Sequence, residues 1–130
     1  MARIIVIDDD HDVRALMVWD LQAAGHEVRA AADGAQGLKL QHASPAEVVV
    51  TDIYMPEKEG IETIRELKER FPTLKIIAIS GGGSALGARK PSSLRDLSVV
   101  AAELGVAAVL QKPFPSEELL RSIDAALAKH

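Results

Sequence analysis

Four short aliphatic runs in this chain each stop at a residue that can bind a metal ion or a phosphoryl group. Residues 4–7 run into Asp8, Asp9 and Asp10, and residues 48–51 into Asp52; residues 76–79 run into Ser80, and residues 107–111 into Lys112. Carboxylates packed together repel one another and raise each other's pKa, a penalty that a bound divalent cation removes. Mg2+ suits such a set, because it takes hard oxygen ligands and is commonly held by one or two carboxylates with water and phosphate oxygens in its other positions. Lys112 adds a fixed positive charge. Together with Mg2+ it can hold a phosphoryl group in transfer, whose transition state spreads charge over its equatorial oxygens. Ser80 can donate a hydrogen bond to one of those oxygens. Asp52 is then the natural nucleophile, forming an acyl phosphate.

That chemistry requires the four run ends to meet. Short β-branched runs of this kind read as strands buried on both faces of a parallel sheet. Residues 26–31 alternate and read as a further strand, so strands are expected at 4–7, 26–31, 47–51, 74–79 and 106–111. Helical spacing lies between them. Val13, Leu16, Met17, Leu21 and Ala24 form one stripe, with Asp10 as its cap and Gly25 just past its end. Asp33 and Gly34 form a turn, followed by a short helix through about Gln41, which Ser44 and Pro45 break. Ile61, Ile64, Leu67 and Phe71 form a third stripe, ended by Pro72. A fourth helix is expected from Ser92 or Ser93 to Leu104, closed by Gly105. The last begins near Pro115 and Ser116, has Glu117 and Glu118 in its first turn, and buries Leu119, Leu120, Ile123 and Leu127. Alternation of this kind implies an α/β doubly wound parallel five-stranded sheet with helices on both faces. The flavodoxin-like (βα)5 order 2-1-3-4-5 makes the first and third strands neighbours and puts the ligand crevice between their carboxyl ends.

Composition narrows the rest. The 130 residues suffice for one domain, 1–130, with a real core. There are 15 basic and 19 acidic residues, for a net charge of −4, and no basic stripe that would suit nucleic acid. The absence of cysteine excludes a disulfide framework and a cysteine-based zinc site. Residues 4–7 are too short an apolar region for a signal peptide and lead straight into acids. No segment is long enough to span a bilayer, so a cytoplasmic domain with no membrane partner is expected.

Asp8 and Asp9 after the first strand, Asp52 followed by Met55, Pro56 and Gly60, Ser80 after the fourth strand, and Lys112-Pro113-Phe114 after the fifth form one pattern. By these residues the sequence resembles a response-regulator receiver domain of two-component signalling across its whole length. The resemblance implies that Asp52 is the phosphoacceptor and that Asp8 and Asp9 are the Mg2+ ligands, Asp9 the more direct. It implies that the backbone carbonyl of Tyr54 completes the metal site, that Ser80 is the switch hydroxyl, and that Lys112 precedes a cis Lys112–Pro113 peptide. The implied phosphodonor is a phosphohistidine on a histidine kinase or phosphotransfer protein. The domain would then act on a downstream protein as a monomer or weak homodimer. It would not be an enzyme beyond its own phosphorylation and slow dephosphorylation. The sequence departs from the family pattern at Val109, where an aromatic residue is usual, and in a long segment after Ser80. Tyr54 and Gly82 also occupy places where polar residues often tune attack by water. With Val109 unable to act as an aromatic rotor, the switch is expected in the loop at 81–91.

Two other readings fit some of these residues. Asp8-Asp9-Asp10 after a strand also resembles the signature of haloacid-dehalogenase-type phosphatases, with Asp8 as nucleophile and Ser80 and Lys112 as the later motifs. No acidic motif follows Lys112, and the chain is short for that fold with its cap. An inert protein-interaction module on the receiver scaffold is the other reading, and the intact acid set argues against it. Gly82 and Gly87 have the gap of a phosphate-binding loop, but Ala88 stands where that loop needs lysine. His11 is expected exposed in the first turn of its helix, Trp19 half exposed, and Asp20 close to the apolar stripe with no evident partner.

Overall fold

Continuous aliphatic strands can be buried on both faces only if helices cover both faces, and the computed structural model has that arrangement. It describes residues 2–53, 59–80 and 97–128. The elements alternate: β1 (Arg3–Ile7), α1 (His11–Ala23), β2 (Glu27–Ala31), α2 (Gly34–Ala43), β3 (Val48–Asp52), α3 (Glu59–Arg70), β4 (Lys75–Ser80), α4 (Leu97–Leu104), β5 (Ala108–Gln111) and α5 (Ser116–Ala128). The five strands form one parallel sheet in the order β2-β1-β3-β4-β5, as the sequence implied.

Side chains of a strand alternate between faces, and here both faces are apolar. Ile4, Val6, Val48, Val50, Ile77, Ile79 and Leu110 pack with Met17 and Leu21 of α1 and with Leu119 and Ile123 of α5. Ile5, Ile7, Val49, Ile76, Ala78 and Val109 face the other way and pack with Ile64 and Leu67 of α3. Each fully buried Ile or Leu of this kind contributes about 1.5–3 kcal/mol. These two clusters therefore hold the strand ends in register.

The helix ends follow from their residues. Asp10 caps α1, its carboxylate accepting from the amides of Asp12 at 2.9 Å and Val13 at 3.1 Å. Gly25 follows the α1 C-cap at φ 95°, a left-handed conformation that glycine adopts without a Cβ clash. The α1 stripe is narrower than its spacing suggested. Met17 and Leu21 are buried, whereas Leu16 is 59% exposed and Trp19 71% exposed. Ala24 is exposed as well. Leu16 sits one residue step, about 100°, off Met17 around the helix, which turns it away from the sheet. Asp20, by contrast, has a partner: its carboxylate accepts from the Ser116 hydroxyl at 2.6 Å, tying α1 to the start of α5.

The connection from α2 into β3 is held by a buried amide. Gln41 is 1% exposed; its Oε1 accepts from the Ala46 amide at 2.8 Å and its Nε2 donates to the Ala46 carbonyl at 3.3 Å. Gln41→Leu keeps the bulk but leaves both backbone groups of Ala46 without these partners. Such losses cost about 1–3 kcal/mol. Urea denaturation should show the variant destabilised on that scale, and an unchanged midpoint would contradict the role assigned to this amide.

Candidate functional site

Register brings the acids together before any side chain is considered. Ile7 pairs with Thr51 and Asp52 with Ile79, while Ser80 pairs with Gln111. Asp8 and Asp52 therefore follow paired residues on adjacent strands, and Lys112 follows the pair of Ser80. Asp8 continues the alternation of Ile4 and Val6, Asp52 that of Val48 and Val50, and Lys112 that of Leu110. All three belong to the α1/α5 side of the sheet. Lys112 starts two strands away from Asp52, a gap of about 10 Å between strand axes, and its long stem closes that gap.

The result is a buried cluster of charge. Asp8 is fully buried and Asp52 is 4% exposed. The Lys112 ammonium lies 3.1 Å from Asp52 Oδ2, to which it donates, and 3.2 Å from Asp8 Oδ2. The contact with Asp8 is the less well aligned of the two, so among the described residues the buried Asp8 Oδ2 has the Lys112 charge beside it but no well-formed hydrogen bond. Asp8 Oδ1 is satisfied, accepting from the Asp10 amide at 2.8 Å. Burial raises the Asp8 carboxyl above its usual range; the Asp10 amide offsets part of this, and the Asp52 charge adds to it. Burial alone would lower the Lys112 pKa, but the carboxylates of Asp52 and Asp8 outweigh it and raise the pKa above its ordinary value. The ammonium is therefore held in its charged form.

Asp9 is exposed at the edge of the same cluster. One carboxylate oxygen from each of Asp8, Asp9 and Asp52 lies within 4.8 Å of the others. An all-oxygen set, in which one buried oxygen lacks a well-formed hydrogen bond among the described residues, fits a hard divalent cation. Asp10 is absent from this set because its carboxylate is spent on the α1 cap. His11 is likewise not part of it, with its side chain 80% exposed and 3.6 Å from Asp12. Ser80 ends β4, and its carbonyl accepts from the Lys112 amide at 3.0 Å. The Lys112–Pro113 peptide is cis, as expected. Tyr54, and the 81–91 loop with Gly82, lie outside the described residues.

The structure gives Gly60 of the sequence pattern its physical role and adds one residue, Arg14, that the sequence reading did not single out. Gly60, in the first turn of α3, lies directly against the end of β3: a Cβ there would lie 2.3 Å from the Asp52 carbonyl oxygen and 2.4 Å from that of Ile53. Only glycine lets α3 start so close to the backbone of Asp52. Arg14, one turn into α1, donates from Nη1 to the Asp8 backbone carbonyl at 2.7 Å. Its position four residues after Asp10 was the available signal.

Comparison with known proteins identifies the family. Residues 4–124 match the response regulator receiver domain family. The chain is 34% identical to the response regulator receiver protein CpdR of Brucella abortus, covering 98% of each. It is 31% identical to the DNA-binding transcriptional regulator NtrC of Azospirillum brasilense, over 97% of this chain but only 24% of that one. Among solved structures, the receiver domain of NtrX from Brucella abortus superposes with a TM-score of 0.81 at 29% identity, covering 98% of this chain and 99% of that one. The chain belongs to the response regulator receiver domain family, and so to two-component signalling. That is a family of signalling domains rather than of phosphatases. Among the described residues no helix is long and apolar enough to cross a membrane.

The raised Asp8 pKa has a consequence for stability. A carboxyl whose folded pKa lies above its unfolded value stabilises the fold at low pH and loses that contribution as pH rises through the folded value. At neutral pH, without metal, the ionised Asp8 is therefore a cost. Asp8→Asn removes the charge and keeps an acceptor for the Asp10 amide. Thermal unfolding without Mg2+ should show this variant melting a few degrees above wild type at pH 7, with the gap closing as pH falls. A variant less stable than wild type at pH 7 would contradict the assignment of the cost to this charge.

Proposed function

We propose that the whole chain, 1–130, acts as one cytoplasmic receiver domain that takes a phosphoryl group onto Asp52 from a phosphohistidine of a histidine kinase or phosphotransfer protein. The observation that carries this reading is the Lys112 ammonium shared between the buried carboxylates of Asp52 and Asp8, with one Asp8 oxygen lacking a well-formed hydrogen bond among the described residues. A cation is already aimed at the nucleophile, and a second cation is called for beside it.

In the proposed reaction a carboxylate oxygen of Asp52 forms a bond to phosphorus as the phosphorus–nitrogen bond of the donor breaks. The imidazole leaves with that electron pair, neutral when its other nitrogen carries a proton. The product is an acyl phosphate on Asp52. Asp8, Asp9, Asp52 and the backbone carbonyl of Tyr54 would hold Mg2+, which when bound neutralises charge on the phosphoryl oxygens. Lys112 stays protonated and moves its charge from the two carboxylates to the incoming group. Ser80, at the end of β4, donates its hydroxyl to a phosphoryl oxygen and so couples the site to the segment that follows. The phosphorylated domain then changes its affinity for a downstream protein.

Acetyl phosphate serves as a small donor for the test. With Mg2+, intact-mass measurement should find one phosphoryl group added to the wild type and none added to Asp52→Asn. Equal labelling of Asp52→Asn would overturn the assignment. Label mapped to Asp8 would favour the phosphatase-like chemistry instead.

A further inference from the structure

Arg14 has no place in the reaction just described, yet its guanidinium ends beside the acid cluster. Its Nη1 donates to the backbone carbonyl of Asp8 at 2.7 Å, and the Arg14 side chain is partly buried there. The turn it touches is pinned at three other points. The Asp8 amide donates to the Ala31 carbonyl at 3.2 Å, and Asp8 Oδ1 accepts from the Asp10 amide at 2.8 Å. The Asp10 carbonyl accepts from the Arg14 amide at 2.9 Å. Asp9 lies between these anchors, exposed and outside any helix or strand.

The direction of the Asp9 carboxylate depends on the orientation of the peptide plane between Asp8 and Asp9. The carbonyl of Asp8 is the polar group of that plane, and Arg14 holds it. A guanidinium offers rigid, planar donors, so the clamp fixes a direction as well as a distance. We propose that Arg14 is a positioning residue for the cation site: by fixing the Asp8 carbonyl, it aims the Asp9 carboxylate at the point where the oxygens of Asp8 and Asp52 converge. The inference rests on Mg2+ being held by Asp8, Asp9 and Asp52. It adds a residue on α1 that decides how well they hold it.

The sign of the effect separates this role from the alternatives. Arg14 is itself a cation beside a cation site. If its charge alone mattered, removing it would strengthen Mg2+ binding. If it only braced α1, its loss would lower the melting temperature and leave Mg2+ binding unchanged. Positioning predicts that its loss weakens Mg2+ binding, on the scale of about tenfold or more known for outer partners of metal ligands.

The experiment is calorimetric titration of the purified protein with MgCl2, with melting temperatures measured alongside. Arg14→Met should weaken Mg2+ binding about tenfold. Arg14→Lys keeps the charge on a shorter side chain and should fall between wild type and Arg14→Met. If Arg14→Met does not fold, Arg14→Lys is read alone: weaker binding at unchanged net charge supports the proposal, and binding equal to wild type overturns it. Tighter or unchanged binding in a folded Arg14→Met overturns it too. A wild type that binds no Mg2+ would instead refute the underlying cation site, a result distinct from the failure of Arg14 alone.

Discussion

Two carboxylates and one ammonium share a buried end of the sheet, and their charges do not cancel. Asp8 and Asp52 both press on Lys112, and Asp9 adds a third negative charge from the exposed side. Ion pairs at such depth are tolerated only when geometry and further hydrogen bonds compensate their lost hydration. Removing Lys112 would leave two buried carboxylates without their shared cation, a change that costs about 3–5 kcal/mol in comparable buried pairs. The fold therefore carries a standing electrostatic deficit at one point. Ligands that supply positive charge, or that take over Lys112, relieve it. This is a physical reason for such a site to respond to a metal ion and a phosphoryl group together.

The rest of the structure serves to hold that deficit in place. The aliphatic strands and the helices on both faces fix the register, and the register alone puts Asp8 next to Asp52. Gly60 lets α3 sit on the backbone of Asp52, and the Asp20–Ser116 bond ties α1 to α5 on the side of the sheet where Asp8, Asp52 and Lys112 lie. Arg14 and Asp10 constrain the turn that carries Asp8 and Asp9. Each contact restricts where a carboxylate can point. None of them touches a phosphoryl group in the reaction proposed here.

Much of this was legible in the chain itself. Runs such as Val48-Val49-Val50 are too uniformly apolar to have a wet face, so a parallel sheet covered on both sides follows from them. Reactive residues at the run ends then mark the edge where the site lies. The remainder depends on pairs far apart in sequence. No local pattern announces that Asp20 meets Ser116 or that Lys112 bridges two carboxylates. Leu16 misled because spacing marks a stripe but not its width, and its edge was set by where α1 meets the sheet and α5. Gly60 stood in the receiver pattern, but nothing in sequence reveals that a carbonyl lies where its Cβ would be.

The central claim is that Lys112 is held between Asp8 and Asp52 in the resting protein and is released by phosphoryl binding. A crystal structure of the protein with Mg2+ and beryllium trifluoride, a phosphoryl mimic, tests this most directly. The account predicts the ion on carboxylate oxygens of Asp8, Asp9 and Asp52, the mimic on Asp52, and the Lys112 ammonium moved from Asp8 Oδ2 onto the mimic. A complex in which the ion and mimic bind while Lys112 remains locked between the two carboxylates would contradict it.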